Sequence, residues 1–355
     1  MEININQILQ QGIDCGASDI FVVAGLPLTF KVQGEQHRMQ EQGSLSPQDT
    51  QNFAAAIYRL AGREAVCVQG SATDDDFSFS LAGVGRFRVN LYRQRGSIGA
   101  VVRVIRFGLP TAEEMQIPPE VMRVADLKKG VALITGCAGS GKSTTLACLV
   151  NRINHTRSGH ILTLEDPVEY IHRHEKCIVS QREIPIDCPS YVAALRGALR
   201  ESPDVILLGE MRDHETIRTA MTAAETGHLL IATLHTNGAV NTIDRIIDAF
   251  PSTQQSQIRV QLSMVLRTVV SQRLLPDVDG GLVPAYEIMH MNAAIRSMIR
   301  DCKNHQIDNV IAAGGGEGMK AMDQSILELY QAGTITRETA LEYADHPEQM
   351  LRRMG

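Results

Sequence analysis

The most specific chemical pattern in the chain is Gly136-Cys137-Ala138-Gly139-Ser140-Gly141-Lys142-Ser143. It fits G-x-x-x-x-G-K-[ST], a loop whose glycines let backbone N–H groups close around an anion while the following helix adds positive potential. The apolar run Val131–Thr135 supplies a strand before the loop, and Ser143–Asn154 has the pattern of the helix that must follow it. The expected ligand is the triphosphate of ATP, held by Gly136, Ala138, Gly139, Ser140, Gly141, Lys142, Ser143 and Thr144. Lys142 would reach the β- and γ-phosphates, and the Ser143 hydroxyl would ligate Mg²⁺.

Carboxylates and an imidazole fall where they could complete that chemistry. In open α/β sheets ligands bind at the carboxyl ends of the strands. The strand candidate His160–Leu164 runs into Glu165-Asp166-Pro167, Val205–Leu208 into Gly209-Glu210, and Leu229–Thr233 into Leu234-His235-Thr236. Glu210 takes the place of an acid acting on or near Mg²⁺, Glu165 that of the group polarising the attacking water, and the two roles are exchangeable at this level. His235 is placed to sense the γ-phosphate, with His228 a weaker second candidate. Charge neutralisation plus a residue that orients water is the apparatus of nucleotide hydrolysis.

The elements that must position these groups fall into two blocks. Residues 1–107 form a first domain, with helices at 3–16 and 48–61 and an antiparallel sheet over 77–106, in which Phe87 and Val89 alternate with Arg86 and Arg88. Ala82-Gly83-Val84-Gly85 and Gln94-Arg95-Gly96-Ser97 are its expected turns. Pro110, Pro118 and Pro119 mark a linker over 108–119. Residues 120–355 alternate short β-branched runs with helical segments, the signature of an α/β fold with a mainly parallel sheet. A helix is expected at 256–273 and a helical tail over the last 35 residues. Asp74-Asp75-Asp76 is expected as a solvated turn, His172-Arg173-His174 at the surface, Gly314-Gly315-Gly316 as a mobile loop, and Cys137 as an inert thiol.

Composition narrows the function. Among 355 residues, 34 Lys+Arg and 40 Asp+Glu give a net charge of −6, which argues against a protein that works by neutralising nucleic-acid phosphates. No apolar run is long enough to span a bilayer, and the polar start from Met1 to Gln11 lacks the blocks of a signal peptide, so a cytosolic location is expected. Seven scattered cysteines without a C-x-x-C pair point to reduced thiols and no zinc site.

The same motifs resemble those of the secretion and pilus motor ATPases, and most closely the PilT family of type IV pilus retraction ATPases. Ala17-Ser18-Asp19-Ile20 with Ala24-Gly25-Leu26-Pro27 is similar to the family's N-terminal signature, with Phe21 where histidine is usual. Gly136 to Thr145 resembles the Walker A segment, Leu164 to Tyr170 the Asp box, Arg200 to Asp213 the Walker B segment, and Gly227-His228 through Thr233-Leu234-His235-Thr236 the His box. Ala294-Ile295-Arg296-Ser297-Met298-Ile299-Arg300-Asp301 is similar to the A-I-R-N-L-I-R-E segment of retraction motors, with three changes. The resemblance implies a PAS-like α+β N-terminal domain followed by a RecA-like P-loop domain with a helical C-terminal tail. It also implies a homo-hexamer peripheral to the cytoplasmic membrane, and an inner-membrane platform protein as partner. In such a ring the arginines of 86–106, with Arg88, Arg93 and Arg95 as candidates, would face a neighbour's nucleotide. Ile295 and Ile299 would serve coupling more than folding.

Three other readings fit parts of the chain. A pilus-assembly or type II secretion ATPase usually carries a C-x-x-C zinc pair and a longer N-terminal extension. A RecA-like nucleic-acid translocase needs stacking platforms, whereas tryptophan is absent and aromatics make up 4%. A non-hydrolysing nucleotide switch leaves two separate carboxylate sites, Glu165 and Glu210, without a use.

Overall fold

In the computed structural model, residues 4–32, 34–40, 43–81, 83–105 and 108–355 are described. Residue 3 of the first expected helix, Ala82 of the first expected turn, and Arg106 and Phe107 lie outside them. The chain divides into two compact units, Met1–Gly108 with Glu169–Ile171, and Leu109–Val168 with His172–Gly355.

The first unit is a small α+β domain. Its strands are β1 (Asp19–Val22), β2 (Thr29–Val32), β3 (Glu35–Arg38), β4 (Asp74–Leu81), β5 (Gly85–Gln94) and β6 (Ser97–Ile105), in the order β3-β2-β1-β6-β5-β4. Every pairing among them is antiparallel. Alternation decides the faces: Phe87, Val89 and Leu91 are fully buried, while Arg86, Arg88 and Asn90 take the other side. Helices Ile5–Asp14 and Pro47–Ala61 bring Leu9, Phe53 and Ile57 to the same core. The three acidic residues at 74–76 do not form a turn; they open β4. There the Asp75 carboxylate accepts from Tyr58 Oη at 3.0 Å, and that of Asp76 accepts from Arg88 at 2.6 and 3.1 Å. Arg88 offsets the charge of Asp76, and Arg63, 3.4 Å from Asp75, joins Tyr58 in holding that carboxylate in the strand.

The second unit is built on a seven-stranded sheet. Its strands are β7 (Gly130–Thr135), β8 (Gly159–Glu165), β9 (Cys177–Glu183), β10 (Val205–Leu208), β11 (Leu229–Leu234), β12 (Leu266–Pro276) and β13 (Leu282–His290). Their order is β13-β12-β7-β11-β10-β8-β9, parallel throughout except for the β12–β13 hairpin. β7, β10 and β11 are buried along their whole length, as continuous apolar runs in a parallel sheet covered on both faces must be.

One expected helix is corrected. Instead of spanning 256–273, it covers Ser252–Val265, and the chain enters β12 at Leu266. Leu266 and Val269 continue the helical spacing only by coincidence. The run Thr268-Val269-Val270 favours a pleated strand, and pairing with β7 decides the outcome. Within the stretch expected as a mobile loop, Gly315–Glu317 forms a 3₁₀ turn with no buried residue. One further expectation is corrected: His172 is buried, and burial pushes its imidazole down to about 4. The tail does form helices, Met322–Gln331, Arg337–Tyr343 and Pro347–Arg353, around a small apolar cluster that includes Leu275, Ile326 and Met350.

The helix Ala293–Arg300 overturns the expectation that Ile295 and Ile299 are free for coupling. Both are 0% exposed and lie in the main core of the second unit. Ile299→Ala should therefore destabilise that unit by about 2–5 kcal/mol, through lost transfer energy plus a residual cavity. Urea unfolding followed by circular dichroism measures this; a shift below about 1 kcal/mol would mean the side chain is not core.

Candidate nucleotide site

The phosphate loop hangs from the carboxyl end of β7. Gly136, at φ 142, is pressed against the Gln272 backbone carbonyl and the Ser140 side chain, and Gly141 has φ 85 with Gln272 Nε2 2.8 Å from where a Cβ would stand. A side chain fits neither place, so the two glycines are a steric requirement of the loop. The helix Lys142–Thr156 starts directly behind it. Thr145 Oγ1 donates to Gln272 Oε1 at 2.7 Å, tying the helix to β12. A cavity of about 420 Å³ beside the loop is lined by Cys137, Ser140, Asn237, Arg273 and Tyr343 among others. The Cys137 thiol is exposed, 3.5 Å from Asn237 Oδ1.

Parallel pairing aligns the strand ends. Thr135 lies opposite Leu234, Ala232 opposite Leu208, and Leu208 opposite Leu164. The residues that follow these ends therefore share one edge of the sheet. Lys142 Nζ donates to Gly136 O at 2.8 Å and Cys137 O at 2.7 Å, and lies 3.5 Å from His235 Nδ1. His235 Nε2 stands 3.4 Å from Glu210 Oε1. An ammonium can only donate, so the Nδ1 facing it accepts, and Nε2 carries the proton toward the carboxylate. The imidazole thus bridges the loop lysine and the β10 carboxylate. Glu210 also accepts from Arg212 Nε at 2.7 Å. Glu165, the last residue of β8, accepts from Thr163 Oγ1 at 2.6 Å and Gln181 Nε2 at 3.4 Å. Neither glutamate caps a helix: Asp213 caps His214–Glu225.

His228 is not brought to this edge. It precedes β11, its backbone carbonyl accepting from Gly130 N at the opposite end of the sheet, and its ring is engaged by Ala223 O and Thr226 Oγ1. Six strand residues separate it from His235, so the two lie about 23 Å apart at ~3.3 Å per residue over seven steps. The expected strand Leu229–Thr233 already lies between the two histidines and puts His228 at its amino end, away from the ligand side.

Tyr191 was missed by sequence reading. Its hydroxyl stands 2.9 Å from where a Cβ on Gly209 would be, and burial together with Asp166, Glu210 and Glu165 pushes its ionisation up. The phenol therefore stays a neutral donor beside the carboxylates. Gln272 was missed because it fell inside the helix expected at 256–273. In the first unit, the Arg88 guanidinium is held by Asp76, and Arg93 donates to Cys67 O at 2.9 and 3.3 Å. Arg95, at φ 47 in the β5–β6 turn, is exposed and has no hydrogen-bond or ion-pair partner among the described residues.

The chain is similar to known proteins along most of its length. The family model described as type II/IV secretion system protein matches residues 1–280. The chain is 44% identical over 345 residues to the type IV pilus retraction ATPase PilT of Pseudomonas aeruginosa, covering 97% of this chain and 99% of that one. It is 47% identical over 322 residues to a twitching motility protein of Neisseria gonorrhoeae, covering 90% and 85%. A crystal structure of the pilus retraction motor PilT with bound ADP superposes with a TM-score of 0.89 at 43% identity, covering 99% of this chain and 100% of the other.

Proposed function

The chain belongs to the type II/IV secretion system protein family, and we propose that within it this protein is a motor ATPase whose ATP hydrolysis retracts a type IV pilus. The reading rests chiefly on the line Lys142–His235–Glu210 at the strand ends, in a chain that aligns with the retraction ATPase PilT along nearly its whole length. We propose further that it works as a homo-hexamer on the cytoplasmic side of the inner membrane, against a platform protein at the pilus base. Near-complete coverage of retraction ATPases, with no C-x-x-C pair, supports this over an assembly or secretion motor.

In this reading the loop residues Gly136, Ala138, Gly139, Ser140, Gly141 and Thr144 bind the phosphates through backbone N–H groups. Lys142 exchanges the carbonyls of Gly136 and Cys137 for the β- and γ-phosphates. Ser143 and Glu210 give a hydroxyl and a carboxylate on one crevice, an all-oxygen donor pair that suits Mg²⁺ when phosphate oxygens complete it. That ion supplies charge neutralisation at the phosphates. Glu165 orients water and takes its proton. His235, joining Lys142 to Glu210, registers whether the lysine has left its resting place.

Arg95 is the arginine best suited to act across a subunit boundary, since Arg88 and Arg93 are held within their own domain. A guanidinium supplied in trans contributes about 10³–10⁵ in rate. Arg95→Ala should accordingly lose about 10³ in kcat without loss of assembly. Mixing it with Lys142→Ala should restore part of the activity, because some intact loops then face intact arginines. No recovery in demonstrably mixed rings would contradict action in trans.

The reading as a whole is tested by deletion in a piliated host. Cells lacking a retraction motor carry more surface pili and do not twitch; bald cells would identify an assembly motor instead.

A further inference from the structure

The helix Ala239–Asp248, which follows the His235 turn, receives no cap from its own N-cap residue, Gly238. Its first N–H groups are satisfied from the sheet instead. Gly238 N donates to Ser271 Oγ at 2.9 Å, and Ala239 N donates to Glu287 Oε1 at 2.7 Å. Ser271 and Glu287 lie directly opposite one another on β12 and β13, and Ser271 lies opposite Thr135, the residue before the phosphate loop. Three polar side chains thus form a row across three strands of a mostly apolar sheet. Thr135 and Ser271 are 0% exposed and Glu287 8%. Burying a carboxyl there is costly unless it is used, and its hydrogen bond goes to the segment that carries His235.

We propose that Glu287 and Ser271 are positioning residues: by capping the helix after His235 from the neighbouring strands, they hold its imidazole between Lys142 and Glu210 and so set the rate of ATP hydrolysis. The rate part of this proposal rests on the reading of the site given above. The cap acts through three intervening residues, Thr236 to Gly238, whose turn is further closed by Asn241 Nδ2 donating to Asn237 O at 2.8 Å.

The charge on Glu287 gives the proposal a signature. Burial pushes its carboxyl up to about 7, opposed by the Ala239 N–H. Asp308, on the Ile307–Ala313 helix, and Asp345, after the Arg337–Tyr343 helix, raise it further, while Arg273 on β12 lowers it. The Ala239–Asp248 helix presents its backbone N–H. A carboxylate accepts more strongly than a carboxylic acid, so the cap tightens, and kcat rises, as pH climbs from about 6 to 8. Stability runs the other way. With the folded value raised, the contribution is complete below the ordinary glutamate range and is lost as pH rises through about 7. Glu287→Gln, which keeps an oxygen acceptor but cannot charge, should thus be at least as stable as wild type at pH 8. A melting curve at pH 8 separates a lower kcat from a loss of folded protein.

The test uses the full chain in two measurements. At pH 8, Glu287→Gln should lower kcat about tenfold or more with KM for ATP little changed, since a small misplacement of a reacting group is costly. Its kcat should also lose the dependence between pH 6 and 8. In nucleotide-free protein, amide exchange in residues 236–241 should quicken about tenfold in Glu287→Gln and in Ser271→Ala, while exchange in β5 stays as in wild type. Ser271→Ala carries the test if Glu287→Gln does not fold. Wild-type kcat, pH profile and exchange rates in the folded variants would overturn the proposal. If the wild-type protein does not hydrolyse ATP, the functional reading fails, and exchange at 236–241 still decides the positioning role.

Discussion

Purified Lys142→Ala protein should lose ATP turnover by at least about 10²–10³-fold, the range found when one fixed charge-stabilising donor is removed from a transition state. Lys142 is 9% exposed and its ammonium is held by the carbonyls of Gly136 and Cys137. In the resting chain that ammonium satisfies the loop's own carbonyls, and during turnover it must stand against the phosphates. Truncation removes the second role entirely. It costs the fold little, because the lost hydrogen bonds to a charged group are offset by no longer burying the charge. The melting temperature should move by only a few degrees. Turnover at the wild-type rate in a correctly folded variant would mean that the loop is not the phosphate site.

The second large effect separates the two carboxylates. Glu165→Gln should lower kcat by about 10²–10⁴, the usual contribution of a positioned general base, with ATP affinity preserved. Glu210→Gln should show its main loss in Mg²⁺-dependent nucleotide affinity, because Glu210 lies on the Lys142 side of the crevice through His235. Equilibrium binding of a labelled nucleotide across a Mg²⁺ titration, beside single-turnover hydrolysis, resolves the pair. The opposite partition would exchange their roles, and unchanged kcat in both would remove hydrolysis from this crevice.

Much of this site was legible in the sequence because its signals are local. The strand before the loop, the loop itself and the apolar runs ending in Glu165, Glu210 and His235 each occupy a few consecutive residues, and the rule that ligands sit at strand carboxyl ends joins them without coordinates. The β5 alternation likewise gave the faces of the first domain. What was not legible depends on pairing. β12 read as a helix because Leu266 and Val269 happen to continue a 3.6-residue spacing, and only its place beside β7 makes it a strand. That error hid Ser271 and Gln272, which touch the site from that strand. His228 was a candidate only through its motif, since the strand expected at Leu229–Thr233 already carries it to the end of the sheet opposite His235. Ile295 and Ile299 show the same limit as β12: helical spacing reveals an apolar face, and only the fold shows that the core covers it.

The central claim is that ATP bound by this loop drives pilus shortening. The direct measurement is time-lapse fluorescence of labelled pili on deletion cells carrying either the wild-type chain or Lys142→Ala. Wild type should restore shortening events, and Lys142→Ala, expressed at the same level, should leave pili extended. Normal shortening with Lys142→Ala, or with no copy of the chain at all, would contradict it.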